Sequence, residues 1–201
     1  MEAQAVATTP RGKRTRDAIV DAAAQLMYFD GVAGTSVDKV LAKSGAGKSQ
    51  MYHYFKNKEQ LVAAVIDRYL EQILGNQPAI FELRSWTDFE TWTEQILDIH
   101  RRAGGPIACP LGNLAGEVGD NPKLAPLVDQ AYRKWESYLE QGLTALRDKG
   151  ELAPGADPAR LAQAAMTSVQ GGLLLAHIRH DITPLEDALR IALTHLHSFR
   201  P

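Results

Sequence analysis

Apolar residues return every three or four positions from Thr15 to Phe199, and this periodicity commits the chain to α-helices rather than strands. Ile19, Ala22, Ala23, Leu26 and Phe29 share one face of a first helix expected over 15–29, with Gly31 as its stop. Thr35 then stands three residues before Asp38, a capping box with Asp in place of Glu, so the sequence makes Thr35 the N-cap of a short second helix. That helix runs to about Ser44 and buries Val37, Val40 and Leu41. Gly45 allows a sharp turn, and a third helix is expected from near Gly47 to before Asn57. Met51 and Phe55 pin it to the first.

The pattern continues. Leu61, Val65, Ile66, Tyr69 and Ile73 mark a fourth helix from Lys58 to about Leu74, broken at Gly75–Pro78. Phe89, Trp92, Ile96 and Ile99 mark a fifth, ending at Gly104-Gly105-Pro106, and a short sixth starts at Pro110. Pro122 suits the first turn of a seventh, and two strongly apolar helices, over about 159–180 and 184–199, close the chain. The Ala- and Gly-rich faces of these two, Gly171-Gly172 and Ala188–Ala192, suit either close packing against a second copy or packing within one chain. With no strand, repeat or low-complexity tract, the fold class is all-α.

Composition excludes several classes. No apolar run approaches the roughly 18 residues of a membrane helix. Met1–Pro10 lacks the basic-then-apolar order of a secretory signal and reads as a loose tail. The lone Cys109 cannot form an internal disulfide, which agrees with a reducing cytoplasm. Charge is unevenly spread: residues 1–60 hold nine Lys/Arg against six Asp/Glu, while the remainder is net acidic. A basic end on an acidic body fits a protein that meets a polyanion at one end only, although a solvated helix surface gives the same count.

The most specific stretch is Ser44-Gly-Ala-Gly-Lys-Ser-Gln-Met-Tyr-His-Tyr-Phe-Lys-Asn-Lys-Glu-Gln-Leu61. A recognition helix needs hydrogen-bonding side chains that reach base edges, with neighbouring groups that hold phosphates and fix the docking angle. Lys48, Ser49, Gln50 and His53 suit the first task, Gln for adenine and Lys for guanine; Thr35, Ser36, Tyr52, Tyr54 and Lys58 suit the second. Over residues 15–66 this stretch and the capped helix before it resemble the DNA-binding domain of TetR-family repressors. There a recognition helix ends in Tyr-x-x-Phe and is followed by Lys-x-Lys-Glu-x-Leu; Tyr52, Phe55, Lys56, Lys58, Glu59 and Leu61 occupy those places. The resemblance implies an N-terminal three-helix helix-turn-helix domain over 1–57, with a flexible N-terminal tail, and a C-terminal helical ligand-binding and dimerisation domain over 58–201. It implies a homodimer on a double-stranded palindromic operator, released when a small-molecule inducer, apolar or aromatic, moves the fourth helix.

Gly47-Lys48-Ser49 copies the end of a phosphate-binding P-loop, but position 42 is Ala and the upstream segment is helical, so nucleotide hydrolysis is not expected. Within the C-terminal part, Ala108-Cys-Pro-Leu-Gly-Asn-Leu114 resembles the Cys-x-x-Gly-Asn-Leu segment of a TetR subgroup that includes electrophile- and drug-responsive repressors. Cys109 just before a helix would have a stabilised thiolate and could sense electrophiles; the default for such a cysteine is a small buried hydrophobe beside a pocket. The expected ligand contacts are Trp92, His100, Cys109, Asn113, Trp135 and Gln170, while Trp86, Phe89 and Tyr132 serve equally well as core. His177/His180 and His195/His197 lack a third ligand at metal spacing, and no nucleophile–base–acid set can be placed. The expectation is a cytoplasmic regulator with no metal, cofactor, catalysis or membrane association. The competing readings are an activator or architectural DNA-binding protein, and a helical ligand-carrier or interaction protein whose basic end is incidental.

Overall fold

A computed structural model describes residues 9–201. Most of the tail expected over Met1–Pro10 lies outside the described residues, which contain nine α-helices, one short 3-10 helix at Pro78–Glu82 and no strand. The helices are α1 Pro10–Gly34, α2 Val37–Ser44, α3 Lys48–Tyr54, α4 Lys58–Gly75, α5 Trp86–Arg102, α6 Pro110–Val118, α7 Ala125–Asp148, α8 Pro158–Arg179 and α9 Thr183–His197.

Three boundaries differ from expectation, each for a local reason. α1 begins at Pro10 rather than Thr15, because Thr9 accepts a hydrogen bond from the Gly12 N–H (3.1 Å) and Pro10 needs no acceptor for its nitrogen. Ser36, not Thr35, is the N-cap of α2: its Oγ accepts from Lys39 N–H at 3.2 Å, whereas the buried Thr35 hydroxyl donates to the Gly31 carbonyl at 2.8 Å. Pro122 precedes α7 instead of opening it, since Asn121 Oδ1 takes the Lys123 and Leu124 N–H groups in an Asx turn. Phe29 is also misplaced by the sequence reading, being 80% exposed, while Met27 is the buried residue one turn after Ala23.

The chain forms two compact units that are not consecutive in sequence. The first comprises the described residues up to Glu71 together with Pro110–Ala131; the second comprises Gln72–Cys109 and Tyr132–Pro201. Segments 58–71 and 110–131 therefore cluster with the helix-turn-helix segment. In the first unit Ile19, Ala23, Val40, Met51, Phe55, Val62, Val65 and Leu111 are buried at 2% exposure or less, so α1 to α4 and α6 all contribute to one core. Arg68 on α4 reaches Asp17 (3.2 Å) and Asp21 (3.3 Å) on α1, and the Tyr69 hydroxyl donates to the Ala24 carbonyl (2.7 Å).

The second unit is held by α8 packed along α9. A Cβ added at Gly172 would meet the Ala188 Cβ at 2.6 Å, so this glycine is what lets the two helices approach. Gly172 and Ala192 are thereby used within the chain, and the apolar residues left outward on these helices are Leu174, Leu175, Ile178 and Ile191. Ser85 and Asp88 cap α5 reciprocally, and Asp157 caps α8 through the Ala159 and Arg160 N–H groups.

Candidate nucleic-acid interface

α3 is seven residues long and has two faces. Met51 and Tyr54, with Phe55 just beyond, are buried at positions three and four apart, while Lys48, Ser49, Gln50, Tyr52 and His53 are exposed. The inward face anchors the helix: the Tyr54 hydroxyl donates to the Gly12 carbonyl of α1 (3.1 Å), and the Arg16 guanidinium lies 5.5 Å from the centre of the Phe55 ring. Gly45, in the left-handed region at φ 69°, ends α2 and turns the chain, and Ser44 Oγ accepts the Ala46 N–H at 3.3 Å. The result is a helix-turn-helix whose second helix presents Lys, Ser, Gln, Tyr and His to the outside.

Two residues expected among the DNA contacts are turned inward. Thr35 is 1% exposed and Tyr54 7%, and each hydroxyl is committed to a backbone carbonyl of the same unit. Ser36 is exposed; while its Oγ accepts from Lys39, its O–H can still donate outward. Gln50 is exposed; its Oε1 accepts the Gly47 N–H at 2.9 Å, which caps α3 and leaves its amide hydrogens and one oxygen lone pair for an incoming partner. Lys58 is half-buried at the first position of α4. Asn57 Oδ1 takes the Gln60 N–H and Gln60 Oε1 the Lys56 N–H, both at 2.9 Å, fixing the bend between α3 and α4.

Arg11, Lys13 and Arg14 are exposed in the first turns of α1, and the Gly12 carbonyl between them accepts the hydroxyl of Tyr54 from the last turn of α3. Sequence reasoning counted these charges but did not assign them to the interface. The signal was available in the Arg-x-Lys-Arg run, and only the start of the helix at Pro10 gives it a place.

The expected ligand contacts divide. Trp92 is buried with Nε1 donating to Gln77 Oε1 (2.8 Å), and His100 is buried with Nδ1 accepting the Ile107 N–H (3.1 Å). Burial holds the His100 imidazole below its ordinary pKa. Trp135 stacks on Tyr132 at 6.3 Å between ring centres; the Tyr132 hydroxyl lies 3.3 Å from Gln170 Oε1, and burial, then the Cys109 thiol beside it, raises its pKa. The structure thus brings Cys109, Tyr132, Trp135 and Gln170 together in the second unit. Asn113 is exposed in the first. Trp135 Nε1 is buried with no hydrogen-bond partner among the described residues. Among those residues no group of three or more His, Cys, Asp or Glu is placed to hold a metal, and no helix is long and apolar enough to cross a membrane.

The fold and the outward face of α3 define a helix-turn-helix transcriptional regulator, and the comparisons with known proteins agree. Residues 19–65 match the family model for bacterial regulatory proteins of the tetR family, and residues 83–192 match that for the tetracyclin repressor-like C-terminal domain. The chain is 30% identical to an HTH-type transcriptional regulator of Lactococcus lactis from the lacX 3′ region, over 87% of this chain and 89% of that one. It is 27% identical to the HTH-type transcriptional repressor ComR of Escherichia coli, over 90% and 87%. A crystal structure of a TetR transcriptional regulator from Chloroflexus aurantiacus superimposes with a TM-score of 0.76 at 30% identity, covering 93% of this chain and 96% of that one. The chain belongs to the TetR family, whose members are transcriptional regulators, DNA-binding repressors with a C-terminal ligand domain, and not enzymes.

Proposed function

We propose that this protein is a cytoplasmic, ligand-responsive repressor that binds a palindromic operator as a homodimer and is released by a small molecule in its second unit. The observation that carries the reading is the polarity of α3: three aromatic or sulfur side chains anchor it inward while five polar ones stand outward on a helix short enough to enter a major groove. Lys48, Ser49, Gln50, Tyr52 and His53 read base edges or hold flanking phosphates. Ser36, Lys58 and the α1 cations Arg11, Lys13 and Arg14 hold phosphates.

Two-fold symmetry follows from the unpartnered stripe of Gly171, Leu174, Leu175 and Ile178 on α8 with Ile191 on α9, whose burial against its own copy forms a four-helix interface. Such a dimer offers two copies of α3 to successive major grooves about 34 Å apart. The inducer is uncharged and aromatic or apolar, held beside Tyr132 and Trp135 with an acceptor group for the buried Trp135 Nε1; Gln170 and Cys109 flank it. We assign the chain to the subgroup with a Cys-x-x-Gly-Asn-Leu segment, with Cys109 as a half-buried neighbour of the ligand rather than its covalent target.

Selection of duplexes from a random pool tests the reading. The wild-type chain should enrich a two-fold symmetric sequence and bind it with strong salt dependence, and Tyr52→Ala should lose that binding with its helicity intact. A folded chain that enriches nothing leaves the ligand-carrier role in its place.

A further inference from the structure

We infer that Glu117 of α6 is a positioning residue for DNA reading: its carboxylate holds the turn between α1 and α2, making α6 a working part of the helix-turn-helix unit. This rests on the operator-binding role proposed above and adds to it a residue far from α3 in sequence.

Gly31 interrupts α1 with φ 72° and ψ 171°, which turns the following N–H, that of Val32, away from the helical ladder. Glu117 Oε2 accepts this N–H at 2.7 Å, a short, charge-assisted bond spanning 85 residues of sequence. The carboxylate occupies the room a side chain at position 31 would need, since a Cβ built there falls 2.8 Å from Glu117 Oε2. The Gly31 carbonyl is held in turn by the Thr35 hydroxyl (2.8 Å), and the Thr35 N–H returns to the Val32 carbonyl (3.3 Å). The next residue, Ser36, caps α2, and α2 leads through Gly45 into α3. One carboxylate thus sits at the head of a series of bonds that sets where α2 starts.

A second grip comes from the segment that follows α6. Lys123 Nζ lies 2.9 Å from Glu59 Oε2 and Asn121 Nδ2 3.5 Å from Glu59 Oε1, at the first turn of α4; these contacts hold the Glu59 carboxyl below its usual pKa, Lys123 most strongly. Residues 110–131 therefore bond to both ends of the helix-turn-helix, besides sharing its core through Leu111, Leu114 and Val118. Glu117 and Lys123 are exposed, so these bonds contribute little to global stability. Their effect lies in geometry, and this separates the two readouts of the test.

The test uses the full chain and the duplex that the wild-type protein enriches from a random pool. Glu117→Ala should weaken that complex roughly tenfold or more by fluorescence anisotropy, shift the melting temperature only slightly, and speed deuterium exchange at the Val32 amide. Glu117→Gln, which keeps an acceptor oxygen, should restore affinity to within about threefold of wild type. Wild-type affinity in a folded Glu117→Ala chain overturns the inference, as does equal loss in the Ala and Gln variants. If the Ala variant does not fold, the Gln variant and the wild-type amide decide: an unprotected Val32 N–H in the folded protein overturns the inference. A wild-type chain that enriches no duplex overturns the operator role itself, and is distinguishable because no variant is needed to see it.

Discussion

At the scale of single residues, two tyrosines two positions apart do opposite work. Tyr52 is about half exposed and Tyr54 is buried against α1. The sequence held the means to separate them, because Met51, Tyr54 and Phe55 fall on one helical face and Ser49, Tyr52 and His53 on the other. Thr35 was not legible in this way: Thr and Ser both cap helices, and which hydroxyl turned inward depended on the non-helical Gly31. Gln50 yields a sharper expectation. Its Oε1 caps α3 while its amide hydrogens can donate to DNA, and Gln50→Glu keeps the cap while removing those donors and adding a negative charge beside the groove. That variant should melt like wild type yet lose at least tenfold in affinity for the enriched duplex, a difference of about 1.4 kcal/mol; unchanged affinity removes Gln50 from the contacts.

His100 supplies a pH dependence with a definite sign. Burial lowers its folded pKa, so below about pH 7 the unfolded chain binds more protons than the folded one, and stability falls as the pH is lowered through the ordinary histidine range. His197, lowered mainly by burial and then by Arg200, acts in the same direction. His100→Asn, whose amide oxygen can still accept from Ile107, should show a smaller drop in melting temperature between about pH 7 and pH 5 than wild type does. An identical drop assigns the dependence to other groups.

At the scale of elements, periodicity located the long α-helices among the described residues, because each buries a stripe whose spacing is local in sequence, while Gly45, Gly47 and Pro110 marked the short α3 and α6. It could not give the 3-10 helix at Pro78–Glu82, which is only five residues long, or the caps that moved the starts of α1 and α7. Nor could it tell which small residues pack within the chain, since Gly171 and Gly172 are adjacent and only Gly172 meets α9. Gly172→Ala places a methyl group 2.6 Å from Ala188 Cβ and 3.2 Å from Leu185 Cα. Overpacking should outweigh the helix propensity that Ala gains, giving a net loss of about 1–2 kcal/mol in chemical denaturation. A more stable variant would mean that α8 and α9 can separate without cost.

At the scale of the whole molecule, the proposed operator reading calls for a second copy: one α3 would read half of a two-fold site, and Leu174, Leu175, Ile178 and Ile191 stand exposed on α8 and α9. A single charge, Ile178→Glu, should therefore give a monomer in sedimentation analysis at micromolar concentration and lower operator affinity by at least a hundredfold, the wild-type protein sedimenting as a dimer. Oligomeric state is not encoded in periodicity, which reports only that a face is apolar; which apolar faces stay uncovered emerges once the chain has folded. The same holds for the proposed inducer site, because aromatic spacing alone does not distinguish the internally bonded Trp92 from Trp135, whose indole nitrogen has no partner among the described residues.

Whether the outward face of α3 enters the major groove is tested most directly by methylation protection, since dimethyl sulfate attacks guanine N7 in that groove. On the enriched duplex the wild-type protein should shield guanines in two clusters about ten base pairs apart, and Tyr52→Ala should shield none at the same concentration. Tight binding with every guanine N7 left open to attack would contradict entry by α3.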